Sequence, residues 1–228
     1  MKHILLFGAG LSAGHLIQYL DKQAQQHDWL IHIVDLNPEN LEQYKRKCTR
    51  VETSCFGIDQ TEQVSTRIQQ ADAVISMLPA FMHIEIAKHC ITHHKALFTA
   101  SYVSDDIKSL EQEINNKGLF FLFECGLDPG IDHMSAMDVL DSIRDNGGII
   151  TEFESFTGGL VAPESDDNPW NYKFSWNPRN VVLAGSGSTS KFLHNGKYKY
   201  IPYHQLFRRT EFIEIEGWGM FEGYANRD

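Results

Sequence analysis

Short apolar runs alternate with longer amphipathic segments through the first half of the chain. Runs at His3 to Phe7, Leu30 to Val34, Val51 to Phe56, Ala73 to Met77, Ala96 to Thr99 and Leu119 to Phe123 have the length of buried strands. Between them, Ser12 to Gln23, Glu39 to Lys47, Glu62 to Gln70, Met82 to His94 and Asp105 to Asn116 predict helices. Each is long enough for the crossover that parallel strands require. The alternation predicts an α/β fold, a Rossmann-type doubly wound parallel sheet with helices on both faces.

The rhythm changes after Cys125. Gly126-Leu127-Asp128-Pro129-Gly130 reads as a turn, with Asp128 as a helix N-cap and Pro129 at the first helical position of a segment reaching about Ile143. Beyond Asn146-Gly147-Gly148, the aromatic and β-branched text predicts strands at Ile149 to Thr157, Val181 to Leu183 and Phe212 to Glu216. This places a domain boundary near residues 125–148, with an α/β domain over 1–125 and an α+β domain starting at 126 and running to 228. Tyr224 to Asp228 carries no helix cap or polar tail, so the second domain reads as truncated.

Charge narrows the partners. Thirty acidic residues against 20 basic give a net charge of -10, which repels nucleic acid and anionic membrane surfaces. No apolar stretch reaches membrane-spanning length, and Met1 runs straight into a strand pattern without the features of a signal peptide. The expectation is a cytoplasmic protein with no nucleic-acid or membrane partner. Cys48, Cys55, Cys90 and Cys125 form no CxxC pair and read as packing thiols. His89 and His93 share a helix face but have no evident third ligand, so no metal is expected.

The clearest chemistry lies between the first strand and the first helix. Gly8-Ala9-Gly10-Leu11-Ser12-Ala13 matches GxGxxG with Ala in the third place. The first glycine allows a tight turn, the second lets a pyrophosphate approach the backbone, and Ala13 lets helix pack closely on strand. The helix N-terminus offers N–H groups and a positive dipole end to the phosphates. Asp35 ends the second strand, where a carboxylate takes ribose hydroxyls in such folds. The bland alternative, in which the glycines only turn the chain and Asp35 only caps a helix, does not account for all four features in order. Asp35 repels a 2′-phosphate, and Leu36-Asn37-Pro38 supplies no arginine, so NAD is expected over NADP. Ligands bind outside the carboxyl ends of the strands, which nominates Met77-Leu78-Pro79 and Thr99 to Tyr102 as the wall beside the nicotinamide.

Several further segments have a familiar order. They are Ser101-Tyr102-Val103-Ser104, Gly126 to His133, Gly158-Gly159-Leu160-Val161-Ala162-Pro163-Glu164, Asn168-Pro169, Tyr172 to Trp176 and Asn226-Arg227-Asp228. The series resembles the glutamate-forming saccharopine dehydrogenases, or saccharopine reductases, including the matching domain of the bifunctional aminoadipic semialdehyde synthases. The resemblance implies reversible oxidation of the secondary amine of saccharopine to an imine, then hydrolysis to glutamate and 2-aminoadipate 6-semialdehyde. It points to Tyr102 and Asp128 for proton handling, and to Arg227, with Ser101 and the weaker Lys173 and Arg179, for a substrate with several carboxylates. Asp128 as a plain cap and Tyr102 as a packing residue stay open as rival readings. Thr157 stands where the family usually has cysteine. A relative acting on another carboxylated secondary amine such as carboxynorspermidine, and a non-catalytic dinucleotide-binding protein, are the alternatives. A homodimer is the assembly entertained.

Overall fold

The computed structural model describes residues 1–174, 178 and 189–225. Six strands build its main sheet: β1 (Lys2–Phe7), β2 (Trp29–Asp35), β3 (Val51–Cys55), β4 (Ala73–Ser76), β5 (Ala96–Phe98) and β6 (Phe121–Leu122). Their spatial order is β3-β2-β1-β4-β5-β6, and every pair is parallel. The order reverses between β1 and β4, so the crevice of a doubly wound sheet opens there.

The apolar runs are continuous because both faces are covered. On one face Leu5, Phe7, Val34, Val74 and Leu97 pack against α3 (Thr61–Gln70) and α4 (His83–Thr92) through Val64, Ile68, Ile86, Ala87 and Cys90. On the other, Leu6, Ile31 and Ile33 meet Ile17, Leu20 and Ala24 of α1 (Gly14–His27) and Leu41 and Tyr44 of α2 (Pro38–Lys47). Leu5 and Leu6 thus face opposite ways, as successive strand residues must.

Asp21 is a buried acid on α1 that the apolar pattern does not explain. Its carboxylate accepts from the backbone N–H of Thr49 at 3.0 Å and of Arg50 at 2.7 Å, which ties α1 to the turn entering β3.

Four sequence expectations need correction. The helix expected over Asp105 to Asn116 is two short ones, α5 (Asp105–Lys108) and α6 (Glu111–Asn116). Ser104 caps the first, and Ser109 Oγ donates to the carbonyl of Asp106 at 2.6 Å at the break, a hydroxyl competing with the helical ladder. Asp128 is not the cap of α7 (Ile131–Asp145): Gly130 occupies that position, and Asp132 turns back to accept from its N–H at 2.9 Å. A backbone bridge between Gly126 and Gly130 closes the preceding loop, so Asp128 and Pro129 stand at its tip, outside the helix. Ile149 to Thr157 forms no strand and pairs with no segment among the described residues. Cys55 and Cys125 are exposed, whereas Cys90 is buried and Cys48 half-buried.

By its own contacts the chain forms two compact units, Met1–Phe153 and Glu154–Asp228, with α7 in the first. The second holds two hairpins. β7 (Ser190–His194) pairs with β8 (Lys197–Ile201) across Asn195-Gly196, both at positive φ as a tight hairpin turn demands. β9 (Thr210–Ile215), which contains most of the strand expected at Phe212 to Glu216, pairs with β10 (Gly219–Tyr224). The expected strand at Val181 to Leu183 lies outside the described residues.

The Asp21 brace gives a stability prediction. Asp21→Ala leaves the part-buried N–H bonds of Thr49 and Arg50 without their acceptor, so urea unfolding should show a loss of about 1–3 kcal/mol. A change below about 0.5 kcal/mol would mean that the turn re-solvates freely.

Candidate functional site

β1 ends at the switch point, and Gly8 follows it with φ +96°. A Cβ there would stand 2.9 Å from the Met77 backbone carbon and oxygen, so only glycine fits between the ends of β1 and β4. Gly10 differs. Its backbone is extended, at φ -72° and ψ -171°, and a Cβ would meet nothing within 4 Å. The space above Gly10 is open in the way a pyrophosphate approach requires. Leu11 and Ser12 are exposed in a short 3-10 turn that leads into α1, while Ala13 is buried against the sheet. These residues fit a dinucleotide diphosphate at the start of the Leu11–Ala13 turn, where Ala13 N–H itself donates to the Gly10 carbonyl at 3.0 Å.

Asp35 sits at the end of β2, yet its oxygens are engaged inward. Oδ2 accepts from Ala9 N–H at 2.6 Å, and Oδ1 accepts from Asn37 N–H at 2.8 Å and from the Asn40 amide at 3.2 Å. The carboxylate braces the glycine loop to the start of α2, and three donors share its charge. The cap of α2 is Asn37, whose side chain accepts from Glu39 N–H at 2.9 Å.

The carboxyl ends of β4 and β5 meet around His83, a residue the sequence reading passed over. After β4 the chain turns through Met77, Leu78 and Pro79, all half-buried, into a 3-10 turn, and α4 begins at His83. The imidazole is 1% exposed and stands edge-on to Phe123. Its Nδ1 lies 2.9 Å from Ser76 Oγ, and its Nε2 lies 2.7 Å from Ser101 Oγ and 3.2 Å from Thr99 Oγ1. Burial pulls its pKa from 6.5 down to about 4, so the ring is neutral at pH 7. The available signal was two apolar strands that both end in hydroxyl residues beside a histidine opening the intervening helix.

Tyr102 follows directly. It is 50% exposed, and its hydroxyl donates to Asp128 Oδ1 at 2.8 Å. The structure therefore brings together two residues separated by 26 positions, at the edge where the glycine loop also lies. The remaining nominees are dispersed. Ser101 is bonded to His83, and Lys173 of the second unit pairs with Asp167 at 2.9 Å. Thr157 is exposed in irregular chain, and Arg179 and Arg227 lie outside the described residues.

The comparisons with known proteins bear on this arrangement. Residues 4–122 match the model of the saccharopine dehydrogenase NADP binding domain, and residues 126–228 match that of the saccharopine dehydrogenase C-terminal domain. The chain belongs to the saccharopine dehydrogenase family. Among relatives of this saccharopine dehydrogenase family member is the mitochondrial alpha-aminoadipic semialdehyde synthase of Rattus norvegicus, 32% identical over all of this chain and 24% of that protein. Another is the saccharopine dehydrogenase [NADP(+), L-glutamate-forming] of Schizosaccharomyces pombe, 32% identical over all of this chain and 50% of that one. The apo histidine-tagged saccharopine dehydrogenase (L-Glu forming) of Saccharomyces cerevisiae superposes over all of this chain and 50% of its own, with a TM-score of 0.87 and 31% identity. The family member described here thus spans about half the length of the fungal relatives and a quarter of the rat protein.

The family assignment corrects the expected preference for NAD. The matching domain is described as NADP binding, and the fungal relatives carry NADP(+) in their names. The expectation treated Asp35 as a free carboxylate aimed at the ribose, but its oxygens are already bonded to Ala9, Asn37 and Asn40. Among the described residues no helix is long and apolar enough to cross a membrane.

Two predictions arise from this geometry. Gly10→Val should abolish binding of NADPH, followed by fluorescence, while leaving unfolding stability within about 0.5 kcal/mol, because its backbone and surroundings admit a side chain. Gly8→Ala should instead lower stability by about 1–3 kcal/mol, since it meets backbone on both counts of space and φ. Equal stability losses in the two variants would contradict the assignment of their roles.

The second concerns pH. Between 6.5 and about 4 the unfolded chain binds a proton at His83 that the folded protein refuses, so stability is complete above pH 6.5 and falls as the pH drops through this window. The loss attributable to His83 should reach at most about 3 kcal/mol. Burial lowers the pKa of His32 and His89 as well, so the His83 share is read as the difference between wild type and His83→Gln in denaturant titrations across the window.

Proposed function

We propose that the chain carries the dinucleotide site and the beginning of the substrate domain of an NADP(H)-dependent oxidoreductase. Its substrate is saccharopine, converted to glutamate and 2-aminoadipate 6-semialdehyde or formed from them, which places the reaction in lysine metabolism. The observation that carries the reading is the Tyr102–Asp128 hydrogen bond beside the glycine loop, on a chain of this family. The names of the fungal relatives support both the cofactor and the glutamate-forming direction of cleavage.

The nicotinamide, when bound, supplies or accepts the hydride at the carbon beside the substrate nitrogen. Oxidation to an imine also removes the N–H proton, and the protein must receive it. Tyr102 and Asp128 form a short relay for that purpose. The phenol of the half-exposed Tyr102 donates to Oδ1 of Asp128, so a proton accepted at the phenol oxygen displaces the phenolic one onto the carboxylate. Hydrolysis of the imine needs a base toward water, and Asp128 is suited to it once its exposed carboxyl has passed the relayed proton to solvent. Gly8, Gly10, Leu11, Ser12 and Ala13 hold the diphosphate, and Leu78 and Pro79 form the wall between loop and relay. Arg227 and Lys173 remain the proposed anchors of substrate carboxylates, while Ser101, whose hydroxyl is bonded to His83, is not carried with them. Lys173 must then exchange its pairing with Asp167 for one with substrate.

The test is NADP+ reduction in the presence of saccharopine, in the longest natural form of the protein. Asp128→Asn should lower kcat by roughly a hundredfold or more while changing stability by less than about 1 kcal/mol, because Asp128 is exposed and caps no helix. Tyr102→Phe should lower kcat in the same direction. Full activity in both variants would remove the relay, and reduction with carboxynorspermidine but not saccharopine would replace the substrate.

A further inference from the structure

His83 lies between the two strand ends that face the proposed reaction, yet it takes no part in the chemistry described above. It reaches Ser76 Oγ through Nδ1, and Ser101 Oγ and Thr99 Oγ1 through Nε2. We propose that His83 is a positioning residue that, through Ser101, fixes the direction in which Tyr102 leaves the sheet toward Asp128. The proposal rests on the reading of Tyr102 and Asp128 as the proton relay.

A neutral imidazole has one donor and one acceptor nitrogen, and each nitrogen here faces a hydroxyl able to take either role. The ring is therefore satisfied in both tautomers and holds the ends of β4 and β5 from one point. Ser101, its closest partner at 2.7 Å, directly precedes Tyr102. The peptides on either side of Tyr102 are held as well. Ser101 N–H donates to Thr99 Oγ1 at 3.3 Å, its carbonyl accepts from Glu124 N–H at 3.1 Å, and Val103 N–H donates to Glu124 Oε1 at 3.0 Å. Of these restraints, the bond to His83 is the one that acts on the Ser101 side chain from within the core. A side chain filling the same volume without nitrogens would keep the packing on Phe123 and lose the hold on Ser101. Small displacements of a reacting group cost large factors in rate, so a half-exposed tyrosine in a relay needs such a hold.

Two isosteres separate the ring's two sides. His83→Gln puts an amide near the Nε2 position and keeps Ser101 in reach, whereas His83→Asn puts one near Nδ1, keeping Ser76 and releasing Ser101. The readout is the ring signal of Tyr102 in protein carrying 13C-labelled tyrosine, assigned by its disappearance in Tyr102→Phe. The expected result is that this signal shifts or broadens in His83→Asn and in Ser101→Ala and stays close to wild type in His83→Gln. Turnover with saccharopine should follow: kcat falls by about tenfold in His83→Asn and Ser101→Ala with KM little changed, and His83→Gln recovers to within about threefold of wild type. An unmoved Tyr102 signal in His83→Asn and Ser101→Ala, or equal changes in His83→Asn and His83→Gln, overturns the proposal. Should His83→Asn fail to fold, Ser101→Ala decides alone. If Tyr102→Phe and Asp128→Asn leave turnover intact, the relay reading fails, while the Tyr102 signal still decides whether His83 positions it.

Discussion

At Gly8 the chain leaves the central strand so close to its neighbour that a methyl group would meet the Met77 carbonyl at 2.9 Å. That approach is clasped on both sides, by Gly8 N–H bonding the carbonyl of Val34 at 2.8 Å and Met77 N–H bonding that of Phe7 at 2.7 Å. The consequences run outward in both directions. The glycine loop is laid across the switch point of the sheet, and Met77 begins the turn that returns His83 beneath Ser76 and Thr99. The open space above Gly10 and the buried hydroxyl cluster are successive features of one edge, set by one backbone contact.

Polar side chains at the two ends of the sheet are tied down by donors and acceptors from several elements at once. Asp35 joins the glycine loop to the start of α2, Asp21 joins α1 to the entry of β3, and His83 joins β4 to β5. Each lies where strands give way to loops, the places in an α/β fold whose backbone N–H groups lack ladder partners. Buried groups of this kind cost free energy when left unpaired, so each fixes a loop more firmly than apolar contact does. The residues proposed as the relay differ by being exposed: Tyr102 and Asp128 meet at the rim, next to Ser101, which is bonded to His83, and to the Gly126–Gly130 bridge.

Much of this was legible in the sequence. The apolar runs located all six strands of the main sheet, because strands buried on both faces leave uninterrupted apolar text, and the glycines with Ala13 located the loop. The failures have two kinds of cause, local hydrogen bonds that compete with a regular element and partners distant in sequence. Asp128 before Pro129 looks like a helix cap until Asp132 is seen turning back to Gly130. Ile149 to Thr157 has strand composition but pairs with nothing among the described residues, and composition cannot report that. The hairpin at Asn195-Gly196 was readable from its turn residues alone and was passed over because its flanking strands are polar and exposed. His83 was hidden for the opposite reason: its three hydroxyl partners converge only once β4 and β5 are adjacent.

The correction over the nucleotide likewise turns on hydrogen-bond partners. An acid at the end of the second strand discriminates between cofactors only if its lone pairs face the ribose, since its effect on a 2′-phosphate depends on unshared charge directed at that position. In this chain Ala9, Asn37 and Asn40 donate to both oxygens, so the residue type at position 35 reports on how the loop is held. The absence of arginine from Leu36-Asn37-Pro38 was equally indecisive, because the charge that meets a phosphate need not come from the loop after β2. A fingerprint acid thus carries information about the cofactor only after its hydrogen-bond partners are known.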